Sequence, residues 1–325
     1  MKSEPGKPCR WEWQSLWLIL GVAAAVSYYY LFAVGLPMLK ERITLHDLIL
    51  SGCALSPYRY RVLIPWIAQG MMSLSALVLP FPKAFILVYT FLDSLGIFLA
   101  LAALYYYLRE WFKKEASLIG TLVVAATMAI ALRDHELSPW SWYEAAMVSW
   151  GFWLLHRGKY RWFTLLMVLA TLNRETAVFL PLAYLFTNQG ILDILRRKTS
   201  FSWKPFLPLI GWWAIWGVIY AGLRLGLGWA PHVMGFGQLL MLNLMPGTLI
   251  RSLVKFGLLF GLFWFWMVPG FKKAPGFVRG TAGMGLCYLL AILVMGSWKE
   301  ARLLMPLYPV IIPLGLSYLF PEEKE

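Results

Sequence analysis

Charge is scarce in this chain. Of its 325 residues, 14% are Asp, Glu, Lys or Arg, whereas a soluble domain carries about 25%. That shortage excludes a single water-soluble globule of this length. Cysteine is nearly missing: Cys9, Cys53 and Cys287 are the whole supply, too few for a disulfide framework. Histidine is almost as rare, at four, and no compact ligand spacing marks a metal site. A divalent cation held by His46, His135, His232, Asp47 and Asp134 is an open alternative without a motif behind it. Internal repeats and low-complexity segments are missing as well.

Apolar residues are what the chain has. They make up 60% of it, and several runs reach the roughly 20 residues needed to cross the hydrocarbon core. Trp and Tyr, 18 and 16 of them, stand at many run ends, where a bilayer interface favours amphipathic rings. The net charge of +13 points to the membrane and excludes a nucleic-acid partner, because the basic residues recur in short clusters between apolar runs. The expectation is an all-α integral membrane protein of about ten crossings, with interfacial helices in the first outer loop. A single membrane domain is expected to take up residues 1–325, with its first span, Leu16 to Pro37, uncleaved.

The basic clusters fix a threading. Lys2/Lys7/Arg10, Arg109/Lys113/Lys114, Arg157/Lys159/Arg161, Arg196/Arg197/Lys198/Lys204 and Lys272/Lys273/Arg279 are placed in the cytoplasm. The N-terminus is then cytoplasmic, and an even number of crossings joins neighbouring clusters. Ala116 to Leu132 leads out and Tyr143 to Leu155 returns. Trp162 to Thr187 has the length of one span but must cross twice. Asn173-Arg174-Glu175 interrupts it, and an ionised triplet at the bilayer centre is expensive. Two arms of about eleven residues, each rising about 17 Å, would set the triplet in a wet recess. Phe206 to Leu225 leads out, Gly226 to Arg251 forms an outer loop and Ser252 to Val268 returns. Thr281 to Gly296 and Leu303 to Phe320 complete the count. Val62 to Leu79 is apolar enough to span, but Pro65, Gln69, Ser73 and Ser75 favour a helix lying in the outer interface.

This threading gathers the reactive side chains outside. The first loop brings Arg42, His46, Asp47, Arg59 and Arg61. The second brings Asp134, His135, Glu136 and Glu144. The recess brings Arg174 and Glu175, and the last loop Glu300 and Arg302. Arginines on the outer side run against the positive-inside trend. An anionic ligand such as a lipid phosphate, gripped by paired guanidinium donors, would account for them. Plainer accounts also stand: headgroup anchoring for Arg59 and Arg61, ion pairs for Arg174–Glu175 and Glu300–Arg302, a solvated turn for Asp134-His135-Glu136, and a helix-capping acid for Asp47.

An outer loop bears His46-Asp47. A basic-aromatic stretch follows, Pro57-Tyr58-Arg59-Tyr60-Arg61-Val62-Leu63-Ile64-Pro65. Asp134 comes next, then the polar tip Leu172-Asn173-Arg174-Glu175-Thr176. The order of these pieces resembles the GT-C superfamily of membrane glycosyltransferases. Glu300-Ala301-Arg302, with Pro306, Pro309 and Pro313, is similar to bacterial members. The resemblance covers residues 10–190 and is weaker over 191–325. It implies an inverting transfer from a polyprenyl-phosphate-linked sugar donor, at the outer face of a bacterial inner membrane. Asp47 is then the catalytic base and Asp134 the second catalytic acid. Arg174, with Arg59, Arg61 and Arg302, is implied to hold the donor phosphate. His46, His135, Glu136, Glu175 and Glu300 are implied to meet acceptor or sugar. His46 stands where many members carry a second acid. Many members also carry a soluble C-terminal domain, and its lack here implies a small glycan or lipid acceptor.

Two other classes fit the same residues. A flippase for a lipid-linked sugar needs the arginines and a lipid groove but no base. A non-catalytic assembly subunit would pair its outer charges with a partner protein. The several acids converging from separate loops favour the enzyme.

Overall fold

The computed structural model describes residues 13–132, 139–232 and 235–321. Helix makes up 82% of the structure, and no strand occurs among the described residues. The helices in chain order are α1 (Trp13–Tyr30), α2 (Leu39–Leu50), α3 (Leu63–Ser75), α4 (Phe81–Leu108), α5 (Lys114–Leu132), α6 (Trp140–His156), α7 (Tyr160–Asn173) and α8 (Leu180–Thr187). They continue as α9 (Gln189–Leu195), α10 (Leu207–Leu227), α11 (Phe236–Leu244), α12 (Pro246–Phe260), α13 (Phe263–Lys273), α14 (Gly276–Met295) and α15 (Tyr308–Leu319). Proline in the first turn, where no hydrogen bond is lost, opens α4, α8, α10, α12 and α15.

Among the described residues five helices are long and apolar enough to cross a bilayer, or up to seven if each bent pair is one span. The five are α1 with its π-helical end, α4, α10, α14 and Ala301–Leu319. The stretch around Val62 to Leu79 is not among them. Its helix α3 has 13 residues and is about 20 Å long, short of a hydrocarbon core about 30 Å thick.

The interrupted run folds as a hairpin. Arg174 is extended, at φ −163° and ψ 140°, so α7 ends at Asn173. A 3-10 turn, Glu175–Phe179, leads into α8. The two arms lie side by side, because the Tyr160 and Tyr184 rings at their far ends are 5.7 Å apart. Trp212 of α10 wedges against both, 4.6 Å from Phe163 and 5.2 Å from Tyr184. An arm of 14 residues rises about 21 Å, so the Asn173–Thr176 tip sits partway along the longer helices.

Two segments differ from the sequence expectation. Most of the outer loop expected over Gly226 to Arg251 is helical, as α11 and the start of α12. The return span expected over Ser252 to Val268 is broken at Gly261, whose φ of +52° only glycine adopts without strain. Its second piece, α13, lies so close to α15 that a Cβ on Gly270 would meet the Leu314 carbonyl oxygen at 1.9 Å.

Candidate functional site

The hairpin tip is the polar centre of the molecule. Arg174 is buried there, and its Nη1 donates to Glu144 Oε2 of α6 at 2.5 Å. The Thr176 hydroxyl donates to the other oxygen of Glu144. Tyr288 of α14 approaches that oxygen at 3.5 Å while donating to the Leu303 carbonyl at 3.0 Å. Glu144 thus ties together α6, the hairpin and α14.

The neighbouring tip residue faces another way. Glu175 accepts two bonds from Arg61 of the first loop, 2.6 Å from Nη2 and 3.3 Å from Nε. Arg61 is buried between Tyr58 and Trp140, its guanidinium carbon 5.3 and 5.7 Å from their ring centres. Such stacking suits a flat guanidinium better than an ammonium. Two indoles of α10 brace the turn: Trp216 donates to the Glu175 carbonyl and Trp213 to that of Val178. Asn173 donates to the Trp140 carbonyl at 3.0 Å. Arg302 pairs with Glu300 at 2.7 Å and reaches the Ser141 hydroxyl at 3.4 Å. The Glu175 and Glu300 carboxylates also act on Arg174 electrostatically, so the three ion pairs form one cluster.

The cluster therefore brings together Arg61, Arg174, Glu175, Glu300 and Arg302 from the sequence candidates. It re-pairs the tip, because Arg174 goes to Glu144 and Glu175 to Arg61. Arg59 lies elsewhere: its Nη1 donates to the Leu227 and Gly228 carbonyls and caps the end of α10. His46 is buried on α2, with Nδ1 2.8 Å from the Tyr89 hydroxyl and Nε2 3.1 Å from Gln69. Burial pushes its imidazole below the ordinary value of 6.5. Asp47, one residue on, is exposed, and its carboxylate has no hydrogen-bond partner among the described residues. Asp134, His135 and Glu136 lie outside the described residues. Among the described residues no three His, Cys, Asp or Glu side chains converge as a metal site requires.

A second buried pair fixes the first loop. Arg42 of α2 meets Asp93 of α4 at 2.6 Å, with its guanidinium beside the Tyr30 and Tyr89 rings. Sequence reasoning singled out neither Asp93 nor Tyr288, and it gave Glu144 no role. The usable signal was that Asp93 and Glu144 are the lone acids inside the apolar helices α4 and α6. Ionisable groups in such places are rarely idle.

Arg174 keeps one unused donor. Its Nε is buried without a hydrogen-bond partner among the described residues, and with Glu144, Thr176 and Tyr288 the residue lines a cavity of about 10 Å³, room for about one water molecule. Comparison with protein-family models, curated proteins and solved structures returned no match.

Proposed function

We propose that this chain is an inverting glycosyltransferase of GT-C type, using a polyprenyl-phosphate-linked sugar at the outer face of the bacterial inner membrane. The observation that carries the proposal is Arg174. It is a buried guanidinium at the tip of a broken hairpin, with Glu144 on Nη1 and Nε left over. A guanidinium offers five N–H donors in a fixed fork, so a phosphate oxygen can be received without expelling Glu144. Arg61 and Arg302 stand nearby, each paired with its own carboxylate. In this reading the hairpin arms are two short crossings of about ten in all, and the N-terminus is cytoplasmic.

The chemistry follows from those positions. An acceptor hydroxyl, on a small glycan or a lipid, attacks the anomeric carbon from the face opposite the phosphate. The new C–O bond forms as the bond from that carbon to the phosphate oxygen breaks. The hydroxyl proton passes to Asp47, which is exposed and free to meet an acceptor, and Asp134 supplies a second carboxylate. The lipid phosphate departs with the bonding electrons, and Arg174 stabilises the charge it gains.

The test uses purified protein with a polyprenyl-phosphate sugar and scores release of lipid phosphate. Release should require an acceptor and fall 10²–10⁴-fold in Asp47→Asn, with donor binding nearly unchanged. Transbilayer movement of the donor without any release would replace the transferase with a flippase.

A further inference from the structure

From the base of α7 to about one turn short of the Arg174 tip, α6 and α7 border an open apolar groove. Its open volume is about 330 Å³, and Trp150, Trp153, Trp162, Leu165 and Leu169 line it, with Lys159 at its mouth. From Lys159 to Leu169 the wall rises about 15 Å, half of a hydrocarbon core about 30 Å thick. The groove therefore has the reach of one leaflet.

The mouth carries unbalanced charge. Arg157 is held by Glu110, with 3.0 and 2.8 Å contacts from Nε and Nη2 to one carboxylate oxygen, and Trp153 Nε1 donates to that oxygen at 2.7 Å. Glu110 is thereby spent on Arg157 and on fixing the groove wall. Lys159 Nζ lies 4.6 Å from the Trp153 ring centre. Among the described residues no carboxylate pairs with Lys159 or with Arg161, which is exposed one turn before Leu165 on the same side of α7. The unpaired N–H groups of the first turn of α7 add positive potential at this end.

We infer that this groove binds an anionic diacyl phospholipid, its headgroup phosphate on Lys159 and Arg161 and one acyl chain along the tryptophan wall. Charge complementarity selects the class. Two cations without acids at the mouth of a leaflet-deep apolar groove favour an anionic headgroup over a zwitterionic one. The bound lipid would steady α7, the arm that carries Arg174, from its base.

The test is photo-crosslinking of the full chain in phosphatidylcholine nanodiscs, doped with phosphatidylglycerol bearing a photoreactive acyl chain. Phosphatidylglycerol should label the peptide spanning residues 150–169 several-fold more than a phosphatidylcholine probe does. The Lys159→Gln/Arg161→Gln double variant should lose that preference. Leu165→Trp, an exposed position that leaves the charges in place, should lower labelling by both probes. Equal labelling by the two probes, or an unchanged preference in the double variant, would overturn the site. So would displacement of phosphatidylglycerol by equimolar polyprenyl phosphate, which would make the groove a channel for a donor tail.

Discussion

Arg61 Nη2 stands 2.6 Å from Glu175 Oε1, which joins the first loop to the hairpin tip across 114 positions of sequence. Trp140 strengthens the same link, because its ring lies against Arg61 and its carbonyl accepts from Asn173 of the tip.

Breaking that pair one partner at a time leaves a charge uncompensated. Arg61→Leu should cost roughly 3 kcal/mol, the lower end for a buried pair, because Glu175 is 29% exposed. Arg61→Leu/Glu175→Leu should recover much of the loss. Thermal unfolding of the purified variants in mild detergent reads this directly. Strictly additive losses would mean that the two residues act independently.

Arg174 is expected to separate charge from shape. Arg174→Ala should weaken donor binding strongly. Arg174→Lys should restore only part, since an ammonium cannot serve Glu144 and a phosphate oxygen in one plane. A binding titration with polyprenyl phosphate decides it. Unchanged affinity in both variants would reduce Arg174 to a structural ion pair with Glu144.

Two glycines predict opposite outcomes. Gly270→Ala places a methyl where the Leu314 carbonyl already sits, so α13 and α15 must part, at a cost of about 1–3 kcal/mol. Gly217→Ala, in the middle of α10, meets nothing within 4 Å and should be neutral or slightly stabilising. Melting temperatures of the two variants, measured side by side, test the contact.

His46 gives a pH signature. Its folded imidazole takes up protons less readily than the unfolded one, because burial disfavours the cation. As pH falls below the ordinary value of 6.5, the unfolded state gains protons first and stability drops until the folded value is reached. Unfolding curves at pH 7.5 and 5.5 should therefore diverge more in the parent than in His46→Gln. An equal pH response in both would remove His46 as the source.

The hairpin was legible because Asn173-Arg174-Glu175 broke an apolar run whose length and flanking charges disagreed about its crossings. The helices α5, α10 and α14 were legible as the apolar runs Ala116 to Leu132, Phe206 to Leu225 and Thr281 to Gly296. By contrast, α2 is rich in charge, with Lys40, Glu41, Arg42 and Asp47, and looked like loop. What draws it in is the Arg42–Asp93 pair, whose partners are 51 residues apart. The start of α12 was hidden by Pro246, Gly247 and Arg251, which read as loop, while its remainder was read as the beginning of the span Ser252 to Val268. The pairing of Arg174 with Glu144 rather than the adjacent Glu175 has no periodic signature, because it depends on how α6 stands beside the tip.

The cluster around the tip holds Arg61, Arg174 and Arg302 against Glu175, Glu144 and Glu300, so its charges sum to nothing. Such a set can change its members only in matched steps. Losing one arginine strands a carboxylate in a dry place, whereas exchanging both members of a pair for apolar residues of similar volume leaves no orphan. A single replacement among the six is therefore expected to cost more stability than the matched exchange of both members of a pair.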